Sequence, residues 1–172
     1  MLPSFTYTNR ICSGENRKPN SWNRVHWLDD LPTGPVTKIA AGGYTLAALT
    51  EGGDLYCWGG RPGQKALFDD LSNVPIPIDL GIDADVKDIA LGDHHIIVLT
   101  TDGKVLARGC NKNGQLGLGD SISSADRWVD DWKLVETVLD GGHGDIVGVA
   151  AGARTSFILC HSGQGNEHRN SS

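Results

Sequence analysis

Short apolar runs, each followed by a glycine-containing turn, recur along the chain. In one stretch these runs are Thr37–Ala41, Leu46–Thr50 and Leu55–Trp58. Further along, a turn that contains Asp102-Gly103 separates Ile96–Thr100 from Val105–Arg108. Because short apolar runs joined by Gly-Gly or Asp-Gly turns are typical of β-hairpins, the pattern predicts a succession of short antiparallel strands.

The same unit returns along the sequence, and two columns of glycine mark its register. The segments that align best are 36–60, 86–119 and 146–160. One column contains Gly42, Gly92 and Gly152, and the other contains Gly14, Gly59 and Gly109. After the third run, a variable loop leads to a fourth apolar segment, which is Arg24–Leu28, Pro75–Leu80 or Trp132–Val138. The sequence therefore predicts four strands per unit, with the residues around Gly14 forming the tail of an earlier unit.

Burial explains why such a unit is repeated. A small twisted sheet cannot cover both of its apolar faces, whereas sheets stacked face to face cover one another, and a ring of them is a β-propeller. We therefore expect an all-β fold, a partial β-propeller of about three four-stranded blades, in residues 1–160. The expected divisions are the end of one blade in 1–31, blades in 32–81 and 82–140, the start of a last incomplete blade in 141–160, and a disordered tail in 161–172.

The repeated glycines are expected to have structural roles. Glycine is the residue that tolerates a positive φ and that lets two backbones approach closely. This expectation applies to Gly42, Gly59, Gly92, Gly109 and Gly152.

Composition narrows the function classes. The 172 residues include 23 glycines and carry a formal net charge of −6. Because a general nucleic-acid binder usually has a basic patch, whereas this chain is acidic overall, no direct nucleic-acid partner is expected. No uncharged apolar stretch follows Met1 as in a signal peptide, and the apolar runs are too short to cross a bilayer. No membrane partner is therefore expected. The four cysteines form no CxxC pair, so we expect free thiols. Free thiols and the lack of a signal peptide favour a cytoplasmic or nuclear location.

The combination of motifs resembles the regulator-of-chromosome-condensation repeat family. The best-matching stretches are Ala48–Gly59 and Asn111–Gly119, and Gln115–Gly119 is the most diagnostic segment. The resemblance extends roughly from Tyr7 to Cys160. The family often has a histidine after the inner glycine, and here only His95 occupies that column.

The resemblance implies a seven-bladed propeller of about twice this length, so the chain looks like a partial, C-terminal portion. It also implies a protein partner, such as a small GTPase or a small regulatory protein. The leading interpretation is a non-catalytic scaffold for protein–protein interaction. The alternatives are a guanine-nucleotide exchange factor for a small GTPase and, through similarity to the fungal α-tubulin-suppressor-like proteins, a regulatory subunit of tRNA modification or diphthamide synthesis. The superfamily is shared with a β-lactamase-inhibitor protein, so an inhibitor-type propeller is a further, weaker alternative.

Side chains with catalytic or metal-binding potential do not converge in the sequence. Asp93-His94-His95 invites a metal site, but neighbouring residues of a strand point to opposite faces. The segment Gly114–Gly119 lacks the Gly-Lys-Ser/Thr of a phosphate-binding loop. No Ser-His-Asp or Cys-His arrangement is readable, and we expect no enzyme activity, catalytic residue, metal or cofactor.

Paired acids are candidates for partner binding. The pairs Asp69-Asp70 and Asp130-Asp131, together with Asp29-Asp30, are predicted to occupy comparable loops between blades. There they are either simply solvated or create a negative face that attracts a basic partner.

Tryptophans in variable loops or outer segments are the other candidates. Such side chains either anchor a protein partner or pack beneath their own loop. The combined set of candidate partner-binding residues is Trp22, Asp69, Asp70, Trp128, Asp130, Asp131 and Trp132.

Overall fold

The protein consists of β-strands arranged in successive antiparallel sheets. The computed structural model describes residues 12–13, 26–27, 31–61, 63–119, 127–136 and 144–162. The first four-stranded sheet has the order β3-β4-β5-β6, and the second has the order β7-β8-β9-β10. Two-stranded sheets, β1-β2 and β11-β12, lie before and after them in the sequence. The strands are β1 (Cys12–Ser13), β2 (His26–Trp27), β3 (Val36–Gly42), β4 (Thr45–Thr50), β5 (Leu55–Gly59), β6 (Ile76–Pro77), β7 (Val86–Leu91), β8 (His95–Thr100), β9 (Val105–Cys110), β10 (Trp128–Leu134), β11 (Gly144–Gly152) and β12 (Thr155–Ser162).

The hairpin between the second and third strands is the same in both four-stranded sheets. Gly53 and Gly103 each have φ of 83°, a left-handed conformation that favours glycine. The threonine that ends the second strand closes each turn, because its hydroxyl accepts a hydrogen bond from the amide of Asp54 (3.3 Å) or Lys104 (3.0 Å). The Gly-Gly and Asp-Gly signals of the sequence therefore specify these turns.

Two apolar cores lie between successive sheets. The core between the first and second sheets includes Ala47 and Leu49 from one side and Ile89 from the other. The core between the second sheet and β11-β12 includes Ile97, Leu99 and Val149. Each sheet thus covers an apolar face of its neighbour, which is the stacking that the repeat predicts.

The inner strands β3, β7 and β11 approach one another most closely at the glycine column. A Cβ placed on Gly42 would lie 2.1 Å from the carbonyl oxygen of Gly92, and one on Gly92 would lie 2.6 Å from that of Gly152. Real Cβ contacts are never that short, so a side chain at either position would force neighbouring blades apart. The amide of Asp93 also donates to the carbonyl of Ala153 in the next blade at 3.0 Å.

A single carboxylate joins all three inner strands. Asp88 of β7 pairs with the ammonium of Lys38 on β3, and its other oxygen accepts a hydrogen bond from the Val149 amide of β11 at 2.9 Å. Gly148, in the same repeat column as Lys38 and Asp88, leaves room for this contact. The three aligned positions therefore hold a cation, a carboxylate and a glycine that fit together, and not the same residue in each repeat.

The fourth strand of the second sheet differs from the sequence prediction. We expected it over Trp132–Val138, but β10 covers Trp128–Leu134. Buried Val129, opposite Gly109, fixes its start, and an irregularity of register follows between Val129 and Lys133. Asp130 and Asp131 therefore lie within a strand and not in an interblade loop. An outer strand accommodates such acids because one of its edges is exposed to solvent.

The proposed divisions at 31/32, 81/82 and 140/141 remain predictions, as does the tail. The strand β12 continues to Ser162, two residues into the segment 161–172. Within the ranges that the structure describes, no helix has the length and apolar character needed to span a membrane.

His95 is a buried link between blades. Its side chain is fully buried, and its Nε2 lies 3.0 Å from the hydroxyl oxygen of Ser156 in the next blade. Burial lowers the pKa of His95 below its ordinary value of 6.5, because the charged imidazolium would lose its hydration. His94, its sequence neighbour, lies exposed in the preceding turn.

We expect Gly42→Ala to lower the free energy of unfolding by about 2 kcal/mol or more, because its Cβ would lie 2.1 Å from the carbonyl oxygen of Gly92 in the next blade. Gly148→Ala is the matched control, since its Cβ meets only the end of the Asp88 side chain, at 3.1 Å. There we expect a change below about 1 kcal/mol. Urea denaturation of both variants measures the difference, and equal losses would contradict the proposed close approach.

We also expect stability to depend on His95 protonation. Because the pKa of His95 is lowered in the folded chain, the unfolded chain takes up the proton more readily. The contribution of neutral, buried His95 to the free energy of unfolding is therefore full above the unfolded pKa of 6.5 and is lost as the pH falls below it. His95→Thr, with the residue found at positions 45 and 155, removes this dependence. The test compares denaturation midpoints of both proteins between about pH 7.5 and about pH 5.5; parallel pH curves would contradict the expectation.

Candidate interaction face

Loops and turns of successive blades emerge at one end of the sheets. Because antiparallel strands alternate in direction, the turns after the inner strands and the long loops after the third strands share that end. We call it the turn face, and its described part consists of 43–44, 60–61, 63–75, 93–94, 111–119 and 153–154.

A cluster at the turn face, which we call the Trp128 cluster, joins the first two blades. The ammonium of Lys65 lies 2.9 and 3.0 Å from the two carboxylate oxygens of Asp130, and 4.9 Å from the ring centroid of Trp128. The His94 ring lies 6.5 Å from the Trp128 ring. The hydrogen bond from Lys65 is the main cause that holds the pKa of Asp130 below its ordinary value. Since Lys65 and Asp130 are both exposed, the pair orients side chains more than it stabilises the fold.

The loop 63–75 is fastened to the second blade by a second set of contacts. Arg108 donates from Nε to the Leu67 carbonyl at 2.8 Å, and its guanidinium lies 4.6 Å from the Phe68 ring centroid. The Phe68 and Trp132 rings lie 6.0 Å apart, and Trp132 Nε1 donates to the Asp79 carbonyl at 3.1 Å. Trp132 is therefore engaged in local packing between blades.

Tyr44 and Arg61 form an exposed pair on the same face. Arg61 donates to the Tyr44 hydroxyl at 2.8 Å, and its guanidinium carbon lies 5.2 Å from the ring centroid. The Gly60 amide donates to the Tyr44 carbonyl at 2.7 Å, which fixes the loop beside the turn. Sequence reasoning did not select these residues, because residues 17 positions apart carry no local signal of contact.

The acids selected from the sequence do not occupy equivalent positions. Asp69 and Asp70 are exposed in a turn of the loop 63–75, whereas Asp130 and Asp131 are exposed on β10. Asp130 is paired with Lys65, and the described residues include no ion-pair partner for the other three. The prediction of comparable loops is therefore wrong for these pairs. Trp22 and Asp29-Asp30 lie outside the described residues.

The diagnostic segment Gln115–Gly119 belongs to the blade interface. Leu116 and Leu118 are buried in the core between the second sheet and β11-β12. The Asn111 side-chain oxygen accepts from the Leu116 amide at 3.1 Å, and Gln115 accepts from the Asn113 amide at 2.8 Å. These contacts make the segment a structural anchor of the turn face.

Acids that are scattered in the sequence gather at the opposite end of the sheets. They line a cavity of about 390 Å³ between the hairpin turn of the first blade and the link to the second: Asp54, Asp79, Asp83 and Asp85. The sequence signals this cavity only weakly, because its members come from two separate connections.

Metal-ligating side chains do not cluster in the described residues. No group of three or more His, Cys, Asp or Glu side chains in those ranges is placed to hold a metal ion. Cys57 is buried, and burial raises its pKa to about 12, so its thiol stays protonated and unreactive at neutral pH.

Comparison with known proteins agrees with this fold. Two family models described as the regulator of chromosome condensation (RCC1) repeat match residues 36–60 and 86–115, and residues 102–159, which together cover more than half of the chain. The Regulator of chromosome condensation of Mus musculus is 35% identical over 85 residues, 48% of this chain and 20% of its own length. The Ras guanine nucleotide exchange factor C of Dictyostelium discoideum is 30% identical over 89 residues, 51% of this chain and 5% of its own length.

A solved structure gives the same result. In the crystal structure of Kap60 bound to yeast RCC1 (Prp20), the matching chain superposes with a TM-score of 0.62 and 26% identity, over 78% of this chain and 30% of that one. This chain thus spans a fifth or less of those two relatives, and the predicted fold class, a partial β-propeller, is confirmed. The repeated sheets, their glycine column and these matches establish that the chain belongs to the regulator of chromosome condensation repeat family.

Proposed function

We propose that this chain is a non-catalytic scaffold that binds another protein through its turn face. Family membership supports a role in protein interaction, and the yeast relative named above is bound to Kap60 in its crystal structure. No cofactor, nucleic acid or membrane is needed for such a role. A cytoplasmic or nuclear location suits it and belongs to the same proposal.

The observation that carries this proposal is the fixed geometry of the turn face. Its longest described loop is held at two points: the Gly59 amide donates to the Ser72 carbonyl at 2.6 Å, and Arg108 donates to the Leu67 carbonyl at 2.8 Å. A loop that is already ordered loses little conformational entropy when a partner binds. Aromatic and charged groups on such a loop are the usual anchors of protein interfaces.

The exposed acids selected from the sequence would contact a basic patch on the partner. Asp69 and Asp70 present adjacent carboxylates on the loop 63–75, Asp131 presents one on β10, and Lys65 pairs with Asp130. Exposed acids supply long-range attraction, and half-buried Trp128 supplies an apolar contact. The proposed partner-binding set thus remains Trp22, Asp69, Asp70, Trp128, Asp130, Asp131 and Trp132, with Trp132 acting mainly through the loop that it supports.

The test replaces Asp69, Asp70, Asp130 and Asp131 by Asn together. With the partner identified by affinity capture and then purified, we expect affinity to fall at least about tenfold and its dependence on salt to weaken. Asp54, Asp79, Asp83 and Asp85, changed to Asn, form a control with the same change in net charge at the opposite end. Unchanged affinity in the first variant, or equal losses in both, would contradict binding at the turn face.

A second candidate function is guanine-nucleotide exchange on a small GTPase. The Dictyostelium discoideum relative whose printed name is Ras guanine nucleotide exchange factor C favours it. A nucleotide-release assay with purified Ras-type GTPases separates the two candidates. Binding without faster release supports the scaffold, whereas release accelerated by this chain supports exchange.

A further inference from the structure

The Trp128 cluster holds a positive charge that belongs to the chain itself. The Lys65 ammonium lies 2.9 and 3.0 Å from the two carboxylate oxygens of Asp130, and 4.9 Å from the ring centroid of Trp128. A carboxylate beside an aromatic face is a combination with which proteins bind the cationic groups of ligands. Lys65 therefore shows what kind of group this site accepts.

The second blade supplies both receiving side chains, Trp128 and Asp130, which we call the cation cradle. They lie two residues apart on β10, and the register of β10 against β9 shifts between Val129 and Lys133. A bulge of this kind re-aims side chains on an outer strand. The indole nitrogen of Trp128 is shielded from solvent, so the ring is packed in place. These constraints come from the second blade, so the cradle keeps its shape when Lys65 leaves.

Lys65 itself is held loosely. Its side chain is 51% exposed and that of Asp130 is 63% exposed, and an ion pair so open to solvent contributes little to stability. The loop that carries Lys65 is fastened at other points, through the carbonyls of Leu67 and Ser72. The lysine side chain can therefore leave the cradle while the loop stays in place.

Exposed acids on the same face attract a second cation. Asp131 follows the cradle on β10 and is exposed. Asp69 and Asp70 are exposed on the loop that carries Lys65. Carboxylates gathered on one face raise the local concentration of a basic segment. A lysine of such a segment then competes with Lys65 for the same carboxylate and the same aromatic ring.

We propose that the cation cradle binds a lysine side chain of the protein partner, and that Lys65 occupies the cradle until that lysine displaces it. This inference rests on the proposed function, because it names the chemistry that the turn face recognises. Lys65 is then an internal competitor, which lowers the apparent affinity in proportion to the time that it fills the cradle. Since an exposed ion pair is weak, we expect its removal to strengthen lysine binding by about twofold to sixfold.

The first experiment measures the binding of a lysine peptide with and without the internal competitor. The probe is a short glycine peptide that contains several lysines, and the readout is the indole N–H signal of Trp128 in a nitrogen–proton correlation spectrum, assigned through its loss in Trp128→Phe. In Lys65→Met we expect the probe to shift this signal with a dissociation constant about twofold to sixfold lower than in the wild-type chain. Lys112→Met makes the same change in net charge on the same face and should bind the probe as the wild-type chain does.

Two controls accompany this measurement. The same peptide with acetylated lysines lacks the charge and should leave the Trp128 signal in place. Lys65→Met should unfold at the urea midpoint of the wild-type chain, because the ion pair that it removes is exposed. Equal affinities of Lys65→Met and Lys112→Met, a shift caused by the acetylated peptide, or a clear drop in the urea midpoint of Lys65→Met would each overturn the proposal.

The second experiment removes the carboxylate of the cradle. In the Lys65→Met background, we expect Asp130→Asn to weaken binding of the probe at least about fivefold, because the ammonium loses its charged acceptor. Asp131→Asn makes the same change in charge on the same strand and should change the affinity by less than about twofold. Equal losses in the two variants would show general attraction by negative charge and would contradict a lysine site.

These peptide measurements do not need the partner, so their failure differs from failure of the proposed function. If the lysine probe fails while the variant with the four acids changed to Asn still loses its partner, the turn face remains the binding surface and the lysine site is overturned. If the purified partner binds Lys65→Met more tightly than the wild-type chain and Lys112→Met, both proposals are supported.

Discussion

At the inner end of each blade, the backbone of one strand meets the backbone of the next where glycine leaves no Cβ between them. Gly42 faces the carbonyl of Gly92, and Gly92 faces that of Gly152. This close approach sets the spacing of β3, β7 and β11, and the apolar side chains of the second strands fill the space that opens outward from it. Asp88 then ties the three inner strands through Lys38 and the Val149 amide. Face-to-face stacking of the sheets depends on this spacing.

The geometry of the turn face depends on the same stacking. Lys65 and the loop 63–75 belong to the first blade, but their contacts with Asp130, Trp128 and Arg108 are made with the second. These groups keep a fixed arrangement only while the two blades stay docked. A scaffold that binds protein through loops needs such rigidity, because binding then orders little that was mobile. The binding that we propose for this face and the cohesion between blades therefore depend on the same contacts.

Most of the fold could be read from the sequence because the signals that specify it are local. Apolar runs, Asp-Gly turns and the glycine columns predict β3–β5, β8 and β9 within a residue or two. The start of β10 could not be predicted, since Val129 is buried opposite Gly109, a residue 20 positions away, while the acidic pair Asp130-Asp131 that follows it suggests a loop. The Lys65–Asp130 pair spans 65 residues and has no local signature. The Lys38, Asp88 and Gly148 column was visible in the alignment of repeats, but only the structure shows that its members meet.

Amide hydrogen exchange tests most directly whether the blades form one docked stack. The amides of Val86, Asp93 and Val149 donate across blade interfaces, to the Gly53 carbonyl, the Ala153 carbonyl and the Asp88 carboxylate. If the stack is a single cooperative unit, these amides exchange as slowly as those paired inside β8, and only through global unfolding. Rapid exchange of these three amides, with the amides of β8 still protected, would show that the sheets fold separately and would contradict the account.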